Sequence, residues 1–312
     1  MYSLIIMGLQ NNVRILPSSH NLSTINKMNQ KNLKVSIYEP NSTNNSFASS
    51  IKAPFDNFKP ANELAIRLFI RDLKAQYRQS VLGFFWVIIP PLLTAGLWIF
   101  LNDSKIVNVG ETAIPYPVFV MVGTMLWQIF AESVNQPLAT AGANRGMLSK
   151  INFPREALLL SGLYTVAFNL LPRLLVLAIA FIYFDLAPSS SLLLFPLGIL
   201  FICLFGFAIG IILTPPGLLL TDVSRAIGVI LPFAMYLTPV IYPTPTDGAI
   251  ASLMKLNPLA ILIETTRDWF SGHRTDIPLE FAYLGGATIV LLIIGIHIYR
   301  VSMPIIIERF GG

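Results

Sequence analysis

A long polar start gives way to six apolar runs, each near the ~20 residues a bilayer requires. They fall at residues 81–101, 117–134, 157–184, 192–213, 226–242 and 281–301. Directly ahead of the first run the pattern is different. Glu63, Arg67, Arg71, Lys74 and Arg78 step by four, four, three and four, so they share one helical face. Ile66, Phe69, Ile70, Leu73 and Tyr77 form the opposite stripe. A helix of this kind lies in the membrane interface, with its apolar stripe in lipid and its cations toward anionic headgroups. The pattern predicts an all-α integral membrane protein. An amphipathic interface helix over 61–80 precedes a transmembrane domain of six helices over 81–303, and a cytoplasmic tail covers 304–312.

Residues 1–60 are polar and rich in Asn and Ser, most of all at Asn41-Ser-Thr-Asn-Asn-Ser46. Such a stretch cannot bury enough apolar surface to fold alone and is expected to be a disordered tail. Its short apolar start, 4–9, is too short and wrongly flanked for a signal peptide. Met28 is a second candidate start, with residues 1–27 then an upstream extension; a genuine tail is the alternative.

Composition fits a membrane protein. Mean hydropathy is +0.67, and charged residues make up only 12% of the chain, about half the usual share of soluble domains. The net charge of +5 is not a nucleic-acid footprint, because the cations flank apolar segments, where the positive-inside bias accounts for them. One cysteine, Cys203, excludes an internal disulfide and a cysteine-based metal cluster. His20, His273 and His297 lack the spacing of a local zinc motif.

The cations also orient the chain. With the amino terminus inside, Arg67, Arg71, Lys74, Arg78, Arg145, Lys150, Arg155, Arg225, Arg300 and Arg309 fall on the cytoplasmic side. Lys105, Lys255, Arg267 and Arg274 fall outside, so both termini are expected in the cytoplasm. Two loops carry structure of their own. Residues 136–156, between spans two and three, include Asn152-Phe-Pro-Arg-Glu156. Between spans five and six, Asn257 can cap a helix that Pro258 begins and Gly272 ends. That helix is too short to span and is read as re-entrant or interfacial, with a second short helix over 248–256 before it.

Chemistry of several kinds is missing. There is no Gly-x-x-x-x-Gly-Lys-Ser/Thr loop and no Gly-x-Gly-x-x-Gly to cradle a nucleotide. Nor is there a Gly-x-Ser-x-Gly elbow or a His-Glu-x-x-His. Acidic residues within the spans are nearly absent, against a proton-coupled transporter. A pump built on this chain needs a separate subunit for its energy.

Several short runs together resemble one known family. They are Arg71-Asp-Leu-Lys-Ala-Gln-Tyr-Arg-Gln-Ser-Val-Leu-Gly83, Phe153-Pro-Arg-Glu156, Thr221-Asp-Val, Pro239-Val-Ile-Tyr-Pro243 and Asn257-Pro-Leu-Ala260. In order, over about residues 35–307, the chain is similar to ABC exporter permeases of polysaccharides and polyol phosphates, which move O-antigen, capsule or teichoic acid. The resemblance implies a multi-pass protein of the inner or plasma membrane, a homodimer of six-helix subunits, each docked on a separate ABC ATPase. ATP and Mg belong to that partner, and no cofactor is expected in this chain. The substrate implied is a lipid-linked polysaccharide that passes along the dimer interface. The interface helix, with Arg71 and Lys74, and the loop with Arg145, Lys150, Phe153, Pro154, Arg155 and Glu156 would dock the ATPase. Membrane lipids complete the partners. Two other readings fit less of the sequence: an ABC permease exporting drugs or small lipids, and a membrane-bound glycan or lipid transferase, which would need a polar catalytic cluster that the sequence does not offer.

Candidate channel residues have two readings each. Arg173, after Pro172, sits deep in the third span, where a charge costs at least ~2.5–3.5 kcal/mol. It either meets a substrate phosphate or sugar, or pairs with a polar neighbour or snorkels. Asn169, one turn earlier, shares its face. Phe84, Phe85, Trp86, Trp98, Tyr116, Phe119 and Trp127 crowd the first two spans. They either stack sugar rings, with Phe85, Trp86 and Trp127 as the candidates, or form an interfacial aromatic belt. Pro90-Pro91 is expected to kink span one.

Overall fold

The structure, a computed structural model, describes residues 58–78, 80, 81, 83–106, 112, 114–244, 254 and 256–311. The polar start over 1–57 lies outside the described residues, and the short helix expected over 248–256 lies almost wholly outside them. In chain order the helices are α1 (Phe58–Tyr77), α2 (Ile89–Asp103), α3 (Tyr116–Ala143), α4 (Arg145–Lys150), α5 (Glu156–Tyr183), α6 (Phe195–Leu219), α7 (Thr221–Tyr236), α8 (Pro258–Ser271) and α9 (Leu279–Gly311). Tight 3-10 turns at Gly83–Val87 and Ser190–Leu193 precede α2 and α6. No strand occurs among the described residues.

Four of these helices, α3, α5, α6 and α9, are long and apolar enough to cross a bilayer. The first and fifth apolar runs differ from the expectation of continuous spans. The first is broken: a 3-10 turn covers Gly83–Val87 and a 15-residue helix restarts at Ile89. Pro90 and Pro91 therefore do not kink a helix from within. They occupy its first turn, where the missing N–H groups would have had no partner anyway. The fifth run yields a helix only from Thr221 to Tyr236. It unwinds ahead of Pro239, as a residue before proline is pushed out of helical geometry. At 16 residues, α7 reaches about 24 Å at 1.5 Å per residue, short of the ~30 Å hydrocarbon core.

Boundaries move elsewhere too. The second run ends in sequence at 134, yet α3 continues through Pro137 to Ala143 and takes in the first part of the expected loop. Close packing accounts for this. Gly206 and Gly210 on α6 face α3, and a Cβ on Gly210 would stand 2.4 Å from the Val134 carbonyl oxygen and 3.0 Å from Pro137 Cγ. Small residues four apart let two helix backbones approach in lipid, and here they bring α6 against α3 beside its proline. Of the apolar window of α3, 72% is buried, against 22% for α9, so α3 is the central helix and α9 an outer one.

The first helix packs by small residues as well. Ala61 and Ala65 are buried with Ala157 of α5. Tyr164 donates to the Asn62 side chain, and the Phe69 ring meets Tyr164 and Phe168 edge-on at 6.2 and 5.9 Å. Of the stripe read from the sequence, Phe69 thereby turns onto α5. Ala61, Ala65 and Leu68 face the protein, while Ile66 and Ile70 stay exposed.

Candidate substrate cleft and docking face

Two neighbouring helices place charge at mid-depth. On α3, Glu132 follows the helix start by sixteen residues, and on α5, Arg173 follows by seventeen. Both lie about 25 Å along helices some 42 Å long. Arg173 Nη2 lies 2.7 Å from Glu132 Oε2, and the side chains are only 6% and 16% exposed. Asn169, one turn before Arg173, donates its amide to Glu132 Oε1. So Arg173 does pair with a neighbour, and that neighbour is an acid the sequence reading passed over. The signal existed: Glu132 is the one carboxylate in the run 117–134.

The pair is poorly satisfied. The contact at Glu132 Oε2 is a charge contact without hydrogen-bond alignment, and Arg173 Nε and Nη1 are buried with no hydrogen-bond partner. Such orphaned groups in a low-dielectric interior are costly unless something else meets them. All of this happens in the wall of an open cleft of about 520 Å³. Trp86, Trp127, Asn169 and Arg173 line it together, with Gln128, Glu132 and Asn135 from α3 and Ile227, Leu231 and Met235 from α7. The structure thus brings four of the five channel candidates to one place. Phe85, 63% exposed in the same 3-10 turn as Trp86, does not line the cleft. Trp86 is 57% exposed at the rim, whereas Trp127 is 4% exposed and packs on Phe130 at 5.4 Å.

The docking candidates fall into two groups. Lys150, Phe153 and Arg155 line a groove of about 270 Å³, together with Leu148, Ile151 and Ile307 of α9. Phe153 packs on the core while Ile151 is exposed, so the loop offers apolar surface beside two cations. Burial pulls the Arg155 guanidinium below its ordinary value, with Tyr299 and Glu156 opposing. The remaining residues hold the loop from below. Arg145 donates to the Leu218 carbonyl. Glu156 is ion-paired to Arg300 at 2.6 Å, and Tyr299 donates to the Arg155 carbonyl at 3.2 Å. Pro154 accepts from Ala157 N at 3.0 Å and so starts α5. On α1, Arg71 donates to Asn144 at 2.6 Å, tying the first helix to the start of α4, and Lys74 remains exposed.

At the other end, α8 is capped as its sequence dictates. The Asn257 side chain accepts from Leu259 N at 3.0 Å, and Gly272 takes the left-handed φ of +81°. Its Arg267 is 4% exposed. The guanidinium sits 3.7 Å from the Phe119 ring centroid and donates to the carbonyls of Pro239 and Val240 at 2.8 and 2.9 Å. Burial lowers its pKa to about 10, against the pull of Glu264 and Asp268.

Among the described residues no group of His, Cys, Asp and Glu is placed to hold a metal. What the geometry offers is a mostly apolar cleft with a buried ion pair in its wall, and a cation-rimmed groove at one end. The chain belongs to the ABC-2 type transporter family, whose model matches residues 63–270. With its four long apolar helices it is a multi-pass membrane protein and a transport permease of that family. It is similar to the O-antigen export system permease protein RfbA of Myxococcus xanthus, 30% identical over 73% of this chain and 88% of the relative. A second such permease, from Klebsiella pneumoniae, is 28% identical over 76% and 91%. The polysialic acid transport protein KpsM of Escherichia coli is 25% identical over 75% and 91%.

Proposed function

We propose that this chain is the membrane-spanning permease subunit of an ATP-driven exporter of a lipid-linked polysaccharide. The observation that carries the reading is its likeness, over most of its length, to permeases named for O-antigen and polysialic acid export. In this reading a homodimer forms the polymer path, and the cleft with Trp86, Trp127, Asn169 and Arg173 opens onto it. Both termini are cytoplasmic. The short α2 and α7 complete six crossings with their flanking segments, and α8 is re-entrant from outside. A separate ATPase, carrying ATP and Mg, docks on the groove at Lys150, Phe153 and Arg155 and on α1 near Arg71 and Lys74. Export of a small lipid is the second reading, favoured by the size of the cleft, which is that of a small-molecule pocket.

Deleting the gene and staining the cell surface for polysaccharide separates the two. Loss of surface glycan, with the lipid-linked polymer accumulating inside, is expected; an unchanged glycan coat with altered lipid efflux would leave only the second. Docking is tested by co-purification with the cognate ATPase. Phe153→Ala with Arg155→Glu is expected to weaken association by ~2 kcal/mol or more, as a buried aromatic anchor does. Undiminished co-purification would place the interface elsewhere.

A further inference from the structure

Arg173 is buried inside a membrane domain with two donors unmet, facing a carboxylate it touches without a proper hydrogen bond. A guanidinium so placed suits a phosphate-type anion, which its planar donors match. Glu132 suits a different task. Its second oxygen is held by Asn169, and Gln128 and Asn135 lie one turn before and after it along the cleft. If the arginine is taken from it, the carboxylate keeps amide neighbours.

We infer that the cleft binds the phosphate or diphosphate headgroup of a lipid at Arg173, and that Glu132 is a resident competitor which the headgroup displaces and which later evicts it. This rests on the reading of the cleft as part of the transport route. It adds the residue that would hold the headgroup and a device for its release. A transport site must bind well enough to load and weakly enough to let go, and an internal carboxylate supplies the second half. No bond is made or broken: the guanidinium exchanges one oxyanion for another. The ring of Trp86 at the rim and the apolar side chains of α7 face the chain beyond the headgroup.

The experiment is binding to the purified full chain in neutral detergent. The probe is dodecyl phosphate, with inorganic phosphate as the headgroup alone and dodecyl maltoside as the same tail without charge. Wild type is expected to bind dodecyl phosphate saturably over the maltoside background. Arg173→Gln should lose about tenfold or more in affinity, and Arg173→Lys should lose less, since it keeps the charge but not the fork. The distinguishing variant is Glu132→Gln. Removal of the competitor should tighten binding several-fold and slow dissociation. A merely structural pair behaves otherwise. Both single variants would then lower thermal stability, the double variant would restore it, and dodecyl phosphate affinity would not follow the series; that pattern overturns the inference, as does wild-type affinity in Arg173→Gln. Should Arg173→Gln fail to fold, Arg173→Lys and Glu132→Gln decide between the two patterns. Competition by phosphatidylglycerol in nanodiscs as strong as that of dodecyl phosphate assigns the headgroup to ordinary phospholipid. Weak competition assigns it to the transported lipid. Normal surface glycan in the gene deletion would remove the exporter reading while leaving this binding result standing.

Discussion

Arg267 shows how a single buried cation organises one end of the molecule. Its two carbonyl partners lie just past α7, its aromatic platform lies on α3, and it belongs to α8 itself. Lysine cannot reproduce two aimed donors and a flat stacking face together. Arg267→Lys is therefore expected to cost about 2 kcal/mol or more, seen as a lower thermal midpoint in detergent. Close by, burial raises the carboxyls of Glu264 and Asp268 above their ordinary values, against the pull of nearby arginines. The folded state therefore holds these protons more tightly than the unfolded chain does. That contribution is complete below the unfolded values and is lost as pH rises through the folded ones. Glu264→Gln should flatten the corresponding fall in thermal midpoint on raising the pH from about 4.

Among the elements, periodicity and apolar length specify most of the helices but not the breaks in the first and fifth apolar runs. Those two signals placed α1, α3, α5, α6 and α9, and the Asn257, Pro258 and Gly272 trio placed α8 with its ends. What was not legible is tertiary. The Gly83–Val87 turn and the unwinding after Tyr236 divide apolar runs that composition alone reads as continuous. The seating of α1 on α5 rests on Ala61 and Ala65, which look featureless until Ala157 is set against them. Glu132 was hidden because its partner lies 41 residues on, outside any local spacing. The Gly206-x-x-x-Gly210 stripe could have been read and marks a close approach of α6 to the α3 backbone. Gly210→Ala should lower yield and thermal midpoint, since overpacking typically costs ~1–3 kcal/mol. Gly286→Ala, where a Cβ meets nothing within 4 Å, should not. Equal behaviour of the two would refute the α3–α6 contact.

For the whole molecule, orientation follows from which side the cations favour, and it can be read directly. In a Cys203→Ala background, Asn152→Cys is expected to be shielded from an impermeant thiol reagent in intact cells, and Thr275→Cys to label; both side chains are exposed. The reverse pattern would turn the molecule over.

The burial of α3 has a consequence for how the protein is made. A ribosome delivers α3 before α5 and α6, so the helix that ends up most hidden from lipid must wait for its cover. It waits carrying Glu132, a carboxylate that hydrocarbon rejects until Arg173 arrives in α5. Glu132 is thus expected to make α3 the costlier helix to lodge in lipid until α5 is made. A chain truncated between α3 and α5 is expected to integrate α3 less completely than one that runs on through Tyr183.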